Sequence, residues 1–225
     1  NLTPDSFYEA SQEKDISSVL ETATKMDNDG ASILDLGGES SKPGAIKIST
    51  DEEQRRVIPS IKEIKNNSNL KAKISLDTRN LSTMKIGEEN GVDIINDISG
   101  FADAKNISFI SKKKKPIIVM HMQNEPKTMQ QNPQYDFSPI DIFKILCEKI
   151  KVLIKLGVRE SNIVIDPGIG FGKNLSHNLE ILNYLSLFHG LGVPILIGVS
   201  RKSLIADITI HRYKSLGINK KTIDA

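Results

Sequence analysis

The sequence predicts an α/β fold closed as a parallel barrel, and three observations carry that expectation. Short β-rich segments alternate with amphipathic helical ones along the 225 residues, the pattern of βα units joined into a parallel sheet. The strands finish in polar residues: Asp35 and Glu39, Asp77, Asn96, His121, Asp166, then Ser200 and Lys202. In a parallel barrel such strand ends converge on one face, whereas a doubly wound sheet gathers its ligands mainly at one switch point. The chain length suits one domain of this kind.

The elements follow in order. A remnant strand is expected at Asn1. A first helix is expected from about Asp15 to Asp29, with Asp15 as N-cap, Ile16, Val19, Leu20, Ala23 and Met26 on one face, and Gly30 as its stop. Residues 31–38, "ASILDLGG", read as a buried strand running into a glycine turn. Thr50 and Glu53 suggest a capping box for the next helix, which Pro59 is expected to kink or split. Strands are read at 73–78, 92–100, 115–122, 162–168 and 193–202, giving six with the first. Ser138, Pro139 and Asp141 open a helix whose Ile142, Leu146, Ile150 and Leu153 line one side and which Gly157 ends. The long polar connection 121–138 is read as a mobile lid.

Composition narrows the function. A net charge of +2 gives no electrostatic case for nucleic acid or an anionic membrane. The run Lys112 to Lys115 is read as a solvated helix end. Cys147 is the only cysteine, so no internal disulfide forms and a reducing, cytoplasmic setting is expected. No apolar run approaches the ~20 residues of a membrane span.

Residues 166–173, "DPGIGFGK", resemble a phosphate loop at first sight. A Walker loop would need Gly where Pro167 stands and Ser or Thr where Asn174 stands. The dinucleotide fingerprint fails as well, because its third glycine would fall on Lys173. Asp166 is the informative residue, since Pro167 stops the strand and the glycines clear space beside it; tight turn geometry is the alternative reading of those glycines. Asp77 reads either as a helix cap or buried partner of Arg79, or as a catalytic carboxylate. Asn96 and Asp97 share that ambiguity. Phe171 stacks on a flat ring or plugs the barrel. Lys202 stands at a helix N-terminus, where a cation is disfavoured. Lys173 is read as peripheral. Two carboxylates, an amide and an ammonium suit a flat heterocycle whose 2-amino pyrimidinone edge offers parallel N–H donors. The histidines show no zinc-ligand spacing, and no nucleophile elbow is present.

Seven segments in order now carry a resemblance: "NLTPDSF" (1–7), "DLGGESSKPGA" (35–45), "ISLDT" (74–78), "IINDISG" (94–100), "VMHMQ" (119–123), "DPGIGFGK" (166–173) and "IGVSRKS" (197–203). The sequence resembles the dihydropteroate synthase family over 1–225. That resemblance implies a single (β/α)8 TIM-barrel domain, with the first strand and last βα unit incomplete here and the chain part of a longer one. It implies a magnesium-dependent transferase of folate biosynthesis, a sulfonamide target, joining 6-hydroxymethyl-7,8-dihydropterin diphosphate to 4-aminobenzoate. Asp77, Asp166 and Lys202 would be catalytic. Asp77, Asn96, Met120, Asp166, Phe171, Gly198 and Lys202 would bind the pterin. Ser41, Lys42, Pro43, Ser200 and Lys202 would serve the aminobenzoate, and Asn1 would hold Mg²⁺ and the diphosphate. A homodimer and a fusion to another folate-pathway enzyme are also implied.

Some positions depart from the family pattern. Lys42 replaces an arginine and loses its bidentate fork. Ser41 replaces a threonine, Glu9 stands near an aspartate position, and a last-strand Arg and His are missing. The alternatives are a pterin-dependent methyltransferase domain and a catalytically silent pterin-binding module.

Overall fold

The computed structural model describes Leu2 and residues 12–200, with the backbone alone for 12–15. Five strands, β1 (Ile33–Gly37), β2 (Lys73–Asp77), β3 (Ile94–Asp97), β4 (Ile117–Met120) and β5 (Ile163–Asp166), form one parallel sheet in sequence order. Between and around them run α1 (Gln12–Asn28), α2 (Thr50–Asn66), α3 (Leu81–Glu89), α4 (Ala104–Lys113), α5 (Ser138–Lys155) and α6 (Leu175–Asn183). A strand order that never reverses is singly wound. Right-handed crossovers then put every helix on the same face, and the sheet curls as a TIM barrel does.

Both flanks of the sheet continue this order. Leu2 N donates to Gly37 O at 2.8 Å, beside β1. On the other side Ile165 bridges Ile195 in parallel, with Ile165 N to Pro194 O at 2.9 Å and Leu196 N to Ile165 O at 2.8 Å. The expected sixth strand at 193–202 thus contributes one bridge in its described part.

The core lies between sheet and helices. Leu34, Leu36, Ile74, Leu76, Ile95, Ile117, Val119, Ile163 and Ile165 point outward and are buried against Val57, Ile61, Met84, Ile107, Ile142, Leu146 and Phe188 of the surrounding helices. The opposite parity faces the concave side of the sheet, where Ile33 is 46% exposed.

Two local expectations change. Ser49, not Thr50, caps α2, its hydroxyl accepting from Glu52 N at 3.2 Å. Glu53 is buried instead, accepting from Thr78 Oγ1 at 2.7 Å, Thr83 Oγ1 at 2.5 Å and Asn80 Nδ2 at 2.9 Å. A carboxylate with that many donors is worth more beneath the β2 turn than in a surface capping box. Pro59 neither splits nor ends α2, which runs from Thr50 to Asn66. The carbonyl its missing N–H leaves without an intrahelical partner belongs to Arg55, an exposed residue.

The 121–138 connection is not a free lid. Gln130 Nε2 donates to Gly170 O at 2.8 Å, Tyr135 OH to Gly172 O at 2.8 Å, and Met129 is fully buried. Polar composition marked a loop, but these contacts pin it to the segment after β5. The lysine run agrees with its reading as a helix end: α4 stops at Lys113, which pairs with Glu88 at 2.8 Å, and Lys114 turns the chain in the left-handed region.

Candidate active site

Strand pleat and register assemble the site. Asp77 pairs with Asn96, Asn96 with Ile118, and Met120 with Asp166. Because alternate residues share a face, Asp77, Asn96, Met120 and Asp166 all project onto the concave side near the carboxyl ends of their strands. Four of the sequence-derived pterin residues are therefore brought together. Met120 and Asp166 are buried, whereas Asp77 and Asn96 are half-buried.

The cap and ion-pair readings of Asp77 are excluded. Asp77 is not the partner of Arg79. That guanidinium forks onto Glu39 instead, with Nε to Oε2 at 3.0 Å and Nη2 to Oε1 at 3.1 Å. Asp77 does not cap α3 either, since Asn80 holds that position. Burial, reinforced by Asp35, Asp97 and Glu53, pushes the Asp77 carboxyl well above the usual carboxylate range. Asp97 faces the other way and is structural, accepting from Ser99 N at 2.8 Å and Ser99 Oγ at 2.6 Å.

Asp166 is held by its own loop. Its Oδ1 accepts from Gly168 N at 2.7 Å, while its backbone carbonyl accepts from His121 N at 2.9 Å. Gly168 has φ +70°, and a Cβ there would stand 2.0 Å from the His121 carbonyl oxygen. The glycines are thus required by close backbone approach as well as by turn geometry. Gly168→Ala is expected to cost about 3 kcal/mol or more through that clash, visible as a lower urea midpoint. A variant as stable as the parent would refute the close approach.

Lys173 is not peripheral. It is 2% exposed, and its Nζ donates to Gly168 O at 2.8 Å, Phe171 O at 2.8 Å and His121 O at 3.3 Å, and lies 3.0 Å from His121 Nδ1. Burial and then Lys173 depress the His121 pKa to about 2, so the ring is neutral and Nδ1 accepts. A lysine following glycines reads as a surface charge; nothing local in the sequence signals a carbonyl cage. Phe171 stands half-buried at the rim of this turn.

The loop after β1 carries Ser41, half-buried, and Lys42 and Pro43, both exposed. It reaches across to the connection after β4, where Gly44 N donates to Pro126 O at 3.1 Å. Gly198 is half-buried and Ser200 exposed beyond the Ile195 bridge. Asn1, Glu9 and Lys202 lie outside the described residues. Among the described residues, no three His, Cys, Asp or Glu side chains gather as metal ligands.

A family model described as pterin binding enzyme matches residues 1–222. The chain belongs to the pterin-binding enzyme family. Within that family it is similar to dihydropteroate synthases, which are transferases. The Bacillus subtilis dihydropteroate synthase is 41% identical over 209 residues, 92% of this chain and 70% of that protein. A probable bifunctional folylpolyglutamate synthase/dihydropteroate synthase of Haloferax volcanii is 36% identical over 206 residues, 92% of this chain and 24% of that protein. The Xanthomonas albilineans dihydropteroate synthase with 4-aminobenzoic acid superposes with a TM-score of 0.85 at 32% identity, covering 93% of this chain and 74% of that one. The same protein in complex with 7,8-dihydropteroate superposes at 0.81 and 30% identity, covering 93% and 73%. This pterin-binding enzyme thus shares fold and sequence with dihydropteroate synthases over most of its length.

Proposed function

We propose that this pterin-binding enzyme condenses 6-hydroxymethyl-7,8-dihydropterin diphosphate with 4-aminobenzoate to 7,8-dihydropteroate and pyrophosphate. The observation that supports it best is the row Asp77, Asn96 and Asp166 on one concave face, made by parallel register. Carboxylates accept paired N–H donors, which a 2-amino pyrimidinone edge supplies. Met120 would floor the slot, with Phe171 and Gly198 at its border and Lys202 on the pterin oxygen.

The reaction breaks the bond between the methylene carbon and the diphosphate oxygen, whose electron pair leaves with pyrophosphate. The cation so formed is delocalised into the pterin ring, and the carboxylates of Asp77 and Asp166 would stabilise it. The amine of 4-aminobenzoate then donates its lone pair to the methylene carbon and loses a proton. Ser41, Lys42, Pro43 and Ser200 would hold the aminobenzoate, with Lys42 attracting its carboxylate. Water must be excluded while the cation exists, and the Gly44–Pro126 contact supports a closing role for the loop after β1.

The described residues offer no metal cage of their own. Mg²⁺ nevertheless takes one or two protein ligands together with substrate phosphates, so Asn1 and the diphosphate would suffice. When bound, the ion would offset the charge of the departing pyrophosphate. A homodimer, a reducing cytoplasmic setting and a fusion to another folate enzyme extend the reading. The Haloferax relative supports the fusion. Among the described residues, no helix is long and apolar enough to cross a membrane.

Pyrophosphate release by the full chain is expected to require both pterin diphosphate and 4-aminobenzoate and to fall to background with EDTA. Pterin binding without release would indicate a silent module. Release that persists in EDTA would remove Mg²⁺ and Asn1 from the reading.

A further inference from the structure

Asp35 has no part in the function proposed above, yet it touches the machinery directly. The register pairs Asp35 with Ser75, Gly37 with Asp77, and Asp77 with Asn96. Asp35 therefore stands one layer deeper on the concave face than Asp77 and Asn96. From there its Oδ2 accepts from Asn96 Nδ2 at 3.2 Å, reaching past β2 between them.

We propose that Asp35 is a positioning residue for the pterin: it turns the Asn96 NH2 group down into the barrel, so that Asn96 Oδ1 is presented to the ligand as an acceptor. This rests on the reading of Asn96 as a pterin residue.

The two ends of an asparagine amide have nearly the same shape, and a half-turn exchanges acceptor for donor. Left alone on a half-buried surface, Asn96 would sample both. Oδ2 of Asp35 is the acceptor in this contact, so Asp35 selects the amide end that it faces. With Nδ2 taken, Oδ1 joins the Asp77 and Asp166 carboxylates in a row of acceptors facing the N–H groups of the heterocycle. With the amide reversed, one N–H would meet another and the row would be broken.

A purely structural role is a poor account of this carboxylate. The strands on either side are already joined by their ladders, Asp35 is exposed toward the open concavity, and it makes no ion pair among the described residues. Loss of solvent on the protein side of the carboxyl raises its pKa, with the hydrogen bond from Asn96 working against that rise.

The test is calorimetric binding of pterin diphosphate to the full chain, without aminobenzoate. Asp35→Ala is expected to weaken binding about tenfold, the loss of one hydrogen bond to a charged group. Asp35→Asn, whose Oδ1 still accepts, is expected to stay within about threefold of the parent. In an Asn96→Ala background, Asp35→Ala is expected to add less than about twofold, because the two act as a unit. The KM for 4-aminobenzoate should change little, which a general loss of structure would not allow. If Asp35→Ala does not fold, Asp35→Leu of similar size takes its place, and a tenfold loss is again expected. Equal losses with and without Asn96, or unchanged affinity in Asp35→Ala, would overturn the proposal. Failure of the parent chain to bind pterin would overturn the function above together with it.

Discussion

Asp77→Asn is expected to make the protein more stable and nearly inactive. The half-buried Asp77 carboxyl feels Asp35, Asp97 and Glu53 as well as lost solvent, and its pKa in the folded state is well above the ordinary 3.8. The native state therefore binds a proton that the unfolded chain has already released, so this residue's contribution to stability falls as pH rises above 3.8 and is lowest above its folded pKa. The neutral amide removes that term at neutral pH while keeping the shape. The thermal midpoint should rise by about 2–4 °C for each kcal/mol relieved. The gain should shrink toward zero as pH is lowered to the ordinary carboxylate range. Turnover should fall at least about a hundredfold, since the negative charge opposite the developing cation is gone. Scanning calorimetry at several pH values, beside pyrophosphate release, reads both effects. A stability gain independent of pH would show that charge burial is not its origin, and near-normal turnover would remove Asp77 from the chemistry.

Lys173→Met is expected to damage stability and pterin binding together. Three carbonyls, of Gly168, Phe171 and His121, depend on one Nζ, which also faces the neutral His121 ring. Methionine matches the length but donates nothing, and each buried acceptor left unserved costs about 1–3 kcal/mol. Release from burying the ammonium offsets part of that, leaving a net loss of about 3 kcal/mol. The Gly168 turn that holds Asp166 would loosen, so pterin affinity should drop even under conditions where the variant remains folded. Urea denaturation and pterin calorimetry measure the two effects. A stable variant with unchanged affinity would return Lys173 to the periphery.

The two carboxylates differ in how plainly the sequence announces them. Asp166 is marked by Pro167 and the alternating glycines, and its place follows from local chemistry. Asp77 is ambiguous in the sequence because Arg79 stands two residues away; only the fold shows that Arg79 turns to Glu39, 40 positions earlier in the chain. The Pro59 split and the Thr50–Glu53 box failed for a related reason. Both are rules of isolated helices, and α2 is instead held by burial on one side and by a long-range carboxylate network beneath Gly38. The lid read from polar composition failed because hydrogen bonds to Gly170 and Gly172 cannot be seen in the connection's own residues.

By itself, the sequence determined the alternation of βα units, the outward apolar face of each strand, and the polar residues at the strand ends. Those are local properties, written at periods of two and 3.6 residues. Tertiary structure alone decided which strand ends meet. The register places Asp35 beneath Asn96, and the turn after β5 folds Lys173 back under its own glycines. Such contacts join residues 61 positions apart in one case, and in the other depend on backbone carbonyls that every residue carries and no side-chain pattern records.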